Sequence, residues 1–65
     1  MQPYQQRVID EKEDLDSKRD RLRAFFGTDL YRELDPIEQS RLNRQLEAMT
    51  LYSNILAERI AAFGA

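Results

Sequence analysis

Tyr4, Arg7, Lys12 and Lys18 put an aromatic ring and three cations in the first third of the chain, where a site could form as oligomer subunits meet. A ring beside cations is the chemistry that stacks a base and holds its phosphates. The same residues have a plainer reading, in which Tyr4 closes an apolar seam and the cations are solvated. Tyr31 and Tyr52, with Arg32 and Arg59, form a second set suited to anchoring a protein partner, because Tyr and Arg are over-represented among residues that dominate binding energy. A third set is the run Asp10-Glu11-Lys12-Glu13-Asp14-Leu15-Asp16. Helical spacing places Asp10 with Asp14 and Glu13 with Asp16, but no glycine turn of a calcium loop accompanies them, and the run reads as a solvated charged face. The chain has no Cys and no His, which excludes thiolate chemistry, disulfides and imidazole acid–base work. It also leaves Ser17, Ser40 and Ser53 without a triad partner. The expectation is no enzyme, with no catalytic residue, metal or cofactor.

Two long helices must position these groups. Pro3 suits the first turn of a helix, and no Gly or further Pro follows until Gly27. Tyr4, Val8, Leu15, Leu22 and Phe26 share one face, and the seven-residue steps from Val8 to Leu22 make a narrow coiled-coil stripe. Asp14 with Lys18, Asp16 with Arg19 and Asp20 with Arg23 pair along this helix, each contributing ~0.2–0.5 kcal/mol. Gln2 is a poor cap, and Gly27 is expected as a left-handed C-terminal cap. Leu30, Tyr31 and Leu34 give one apolar side to a short turn that would plug the hairpin end. Asp35-Pro36-Ile37-Glu38 then has the form of a capping box. From there Leu42, Leu46, Met49, Leu56, Ile60 and Phe63 recur in steps of three and four, with Ser53 as the one polar gap.

The predicted fold is all-α: one domain over residues 1–65, an antiparallel two-helix hairpin of helices 3–26 and 36–63 joined by a short helical turn at 29–34. A register in which facing positions sum to 68 sets Val8 against Ile60, Leu22 against Leu46 and Phe26 against Leu42. It brings Tyr4 near Phe63 and sets Leu15 against Ser53, a soft spot. Such a hairpin offers no cleft to shift the pKa of a carboxylate pair.

Sixty-five residues bury only about 60% of their unfolded surface, and such chains usually need a staple. With no cysteine, association is the remaining staple. Ala48, Leu51, Tyr52 and Ile55, with Tyr31, are apolar or aromatic positions beyond what one seam uses, and mark an oligomer or partner interface. The simplest assembly is a dimer in a four-helix arrangement. A net charge of −2 with interspersed signs argues against general nucleic-acid binding, and no apolar run is long enough to span a membrane. The N-terminus lacks the pattern of a signal peptide, so a cytoplasmic location is expected.

The opening Gln2-Pro3-Tyr4-Gln5-Gln6-Arg7-Val8-Ile9-Asp10-Glu11-Lys12, then Leu15-Asp16, resembles short phage and prophage proteins, some described only as related to a crAss-like phage protein. Glu38-Gln39, Leu42, Gln45-Leu46, Met49, Tyr52, Leu56 and Glu58-Arg59-Ile60 extend the likeness over most of the chain. The resemblance implies a phage-encoded accessory protein in the bacterial host cytoplasm, acting in counter-defence by binding a host protein, as an anti-CRISPR does. A weaker likeness, to the helical hairpins of phage sponges that sequester cyclic nucleotide signals, implies instead an oligomeric sponge holding its ligand with a Tyr and a Lys, for which Tyr4 and Lys12 are the candidates in this chain. A structural or regulatory phage protein is the third reading.

Overall fold

The computed structural model describes residues 1–64. Its helices are α1 (Pro3–Phe25), α2 (Asp29–Glu33) and α3 (Pro36–Ala61), followed by a 3-10 turn at Ala62–Gly64. The long helices α1 and α3 pack side by side into a rod of 46 × 14 × 14 Å, and no strand is present among the described residues.

Each helix start has a local cause. At α1 the Gln5 side chain reaches back to accept from the Gln2 backbone N–H at 2.9 Å, so Gln2 is a better-served cap than its residue type promised. At α3 the Asp35 carboxylate accepts from the Ile37 N–H at 2.7 Å, with Pro36 in the first turn. Glu38 does not complete the capping box; it pairs forward with Arg41 at 3.5 Å.

The end of α1 departs from expectation. No glycine among the described residues has positive φ, so Gly27 is not a left-handed cap. The helix tightens instead through bonds from Phe26 N–H to Arg23, Gly27 N–H to Ala24 and Thr28 N–H to Phe25. The Thr28 hydroxyl donates to the Phe25 carbonyl at 2.6 Å and accepts from the Tyr31 N–H at 3.2 Å, closing one helix while capping the next. In α2, Leu30 is 66% exposed and plugs nothing. Tyr31 closes this end, its ring 4.7 Å from that of Phe26 and edge-on to Phe25 at 6.0 Å. Gln39 donates to the Tyr31 carbonyl at 2.8 Å and Asn43 to its hydroxyl at 3.0 Å, which ties α2 to the first turns of α3.

At the far end Tyr4 meets Phe63 edge-on at 6.2 Å, as the antiparallel register requires. Among the described residues the buried ones are few: Val8, Leu56 and, among polar groups, Ser53. Ser53 is not a soft spot facing Leu15. Its hydroxyl donates to the Asp16 carboxylate at 2.5 Å, one helical position further along α1.

Candidate functional site

Two contacts mark the two sides of the hairpin. Asp16 with Ser53 lies on one side of the α1–α3 seam, and Tyr4 with Phe63 lies on the other. At about 100° per residue, every other side chain of the long helices can be assigned from these marks.

The Asp16 side is a closed polar cluster. Lys12 Nζ lies 2.7 Å from Asp16, one turn away on α1, and Arg19 reaches the same carboxylate at 3.4 Å. The Lys12 hydrogen bond is the main reason that the Asp16 carboxyl titrates below its usual range; the Ser53 hydrogen bond adds to it, and partial desolvation opposes both. Arg19 also approaches Asp20 at 3.6 Å, while its Nε is buried without a partner. Each Asp16 oxygen accepts from neighbours within the chain, so the cluster fixes the register of the two helices rather than presenting an open site. Sequence reasoning placed Lys12 with Tyr4 as a ligand group; it stands on the other side and is held by Asp16. The signal that could have found this pair is Lys12 to Asp16 at i,i+4 beside the lone polar gap at Ser53.

The Tyr4 side is open. Tyr4 is 55% exposed even with its edge against Phe63. Helical spacing sets Arg7 and Lys18 of α1 and Tyr52 and Arg59 of α3 on this same side. Lys18 is occupied by Asp14 at 3.0 Å. Among the described residues Arg7, Arg21, Arg44 and Arg59 make no ion pair with an acid, which leaves their guanidinium groups available. Arg7 and Arg59, which sequence reasoning set in different groups, thus share an end and a side with the exposed ring of Tyr4.

Further round α3, Leu51 is 63% exposed, Ile55 45% and Tyr52 43%, and Ala48 is exposed between them. These four form one stripe about 120° round the helix from the face that α3 buries against α1. Tyr31 does not extend it, because its ring and hydroxyl are engaged at the connector. The described residues form no pocket on the single chain, and no group of three acidic side chains among them is placed to hold a metal. No helix of the described residues is long and apolar enough to cross a membrane.

A family model described as Sequestin matches residues 2–62, taking in both long helices, the connector and both sides of the hairpin. The chain belongs to the Sequestin family. No curated protein and no solved structure matches the chain. The Sequestin match spans Tyr4 to Arg59, so the open side, the Asp16 cluster and the Leu51 stripe all lie within the family's extent.

Proposed function

We propose that this chain sequesters a small anionic signal, a cyclic nucleotide, in a site completed where copies of the chain meet. The observation that carries this reading is the Sequestin match over residues 2–62, since the family's name denotes sequestration. The open side supplies fitting chemistry. Tyr4 offers a ring face for a base, and the unpaired Arg7 and Arg59 offer forks for phosphate oxygens. A rod without a pocket encloses a ligand only by joining another copy, which is why self-association belongs to the reading. Holding a signal without converting it requires no catalytic group. In a phage-encoded accessory protein of the bacterial host cytoplasm, such binding would silence a nucleotide-triggered defence.

A second reading, capture of a host protein, is favoured by one observation, the exposed stripe of Leu51, Tyr52 and Ile55.

Thermal-shift measurements with a panel of cyclic mono-, di- and trinucleotides test the first reading. At least one should raise the melting temperature, and Tyr4→Ala or Arg7→Ala should abolish most of that rise while leaving the unliganded melt near wild type. Lys12→Ala should instead lower the unliganded melt, because Asp16 loses its closest cation. A panel that produces no shift at all overturns the sequestration reading.

A further inference from the structure

We infer that the Ala48, Leu51, Tyr52, Ile55 stripe is covered by a second copy of this chain, packed antiparallel along α3, and that the pairing builds a groove floored by Tyr52 from both copies. The occupant is indicated first by surface. A folded monomer of this mass exposes roughly 4,300 Å², whereas this chain exposes 4851 Å². A rod of 46 × 14 × 14 Å exposes more than a globule of its mass, and the stripe, with Leu51 at 63% exposure, is a run of exposed apolar residues along one helix that a second rod can cover.

Charge then selects the partner and its direction. Arg44 lies one turn before Ala48, and Glu58 lies three residues beyond Ile55, so the two border the stripe at its opposite ends. Neither makes an ion pair within the described residues. In a parallel pairing Arg44 would meet Arg44 and Glu58 would meet Glu58. In an antiparallel pairing about a two-fold axis near residues 51 and 52, Arg44 of each copy meets Glu58 of the other. The same operation sets Ala48 against Ile55, Leu51 against Leu51 and Tyr52 against Tyr52. Helical angles agree with this register: Arg44, Leu51 and Glu58 fall on one flank of the seam, Tyr52 and Arg59 on the other, and antiparallel helices bring like flanks together.

The groove follows from where α1 sits. The stripe lies about 120° round α3 from α1, so the two α1 helices flank the seam on the Tyr52 side without touching. With packed helices 8–10 Å apart, their axes stand roughly 20 Å apart, leaving a groove about 10 Å wide. The open sides of both copies face into it, with Arg7 and Arg59 from each. Its use as the ligand site rests on the sequestration reading; the pairing itself does not.

Sedimentation equilibrium tests the pairing without any ligand. The wild-type chain of 7.7 kDa should sediment as a dimer at tens of micromolar. Arg44→Glu or Glu58→Arg alone should weaken the dimer by about tenfold, and the double swap should restore it. Leu51→Asp should give a monomer with an unchanged helical circular-dichroism spectrum, since Leu51 is exposed in the single chain. A wild-type monomer at such concentrations, single charge variants that associate like wild type, or a double swap that fails to restore association would each overturn the pairing. A dimer that obeys the charge swaps yet binds no cyclic nucleotide would leave the pairing standing and remove only the sequestration reading.

Discussion

Among the described residues the part-buried bond of Ser53 to Asp16 is the one polar link between the long helices, and a charge-assisted hydrogen bond in a partly desolvated place is hard to replace with water. Ser53→Ala removes one acceptor contact of Asp16 but leaves Lys12 and Arg19 in place, so the expected loss is about 1.5 kcal/mol, measured by urea denaturation. The pH dependence has a definite sign. Asp16 titrates lower in the folded chain than its ordinary value of 3.8, so its contribution to stability is fully present above that value and is lost as pH falls through the lower, folded value. Melts at pH 7 and pH 3 should show wild type losing more stability than Asp16→Asn, because the amide has no proton to gain; equal losses would mean that other carboxylates carry the acid sensitivity.

The helices themselves were legible in the sequence because their starts and seams rest on strong local chemistry. Pro3 and Pro36 open α1 and α3, and the apolar steps that pointed to an antiparallel pair are answered by the Tyr4 to Phe63 contact and the burial of Val8 and Leu56. The Asp16 link was not legible, since the facing register was read from the apolar stripe alone and Asp16 is a charged residue beside it, in a run that reads as a solvated face. Asp16 lies about 100° round α1 from Leu15, at the edge of the apolar stripe, and from there its carboxylate reaches Ser53. Of the open side, Tyr4 and Arg7 were legible as residue types, but their grouping with Arg59 depends on which flank each helix turns outward. Gly27 was misread because Thr28 takes over the capping, bonding back to Phe25 and forward to Tyr31. With φ negative there, and an added Cβ no nearer than 3.6 Å to the Ala24 carbonyl, the glycine's freedom goes unused. Gly27→Ala should therefore stabilise the hairpin by about 0.4–1 kcal/mol through a less flexible unfolded chain, read as a raised urea midpoint. A destabilised variant would show that this turn needs a glycine after all.

At the scale of the whole molecule, one apolar side chain at complete burial, Leu56, and one nearly so, Val8, make a thin core for a rod 46 Å long. Chains of this size usually draw stability from a disulfide, a metal or association. This one has no cysteine or histidine, and the pairing proposed above through α3 predicts that folding and self-association are coupled. If the dimer is the principal folded species, the unfolding equilibrium gains a concentration term, and each tenfold rise in protein should raise the melting temperature by about 5 °C for a chain of this length. Leu51→Asp separates this from ordinary surface behaviour. In a monomeric hairpin an aspartate at a 63% exposed position costs little, and the melt should be nearly that of wild type at every concentration. In a dimer held through α3 the same change buries an unpaired charge at the seam, so the variant should melt lower than wild type at high concentration and lose its concentration dependence. Scanning calorimetry across two decades of concentration, on wild type and Leu51→Asp together, distinguishes the cases: parallel, concentration-independent melts would mean that one hairpin stands alone, and its stability would then have to come from the Asp16 link and the short seam around Leu56.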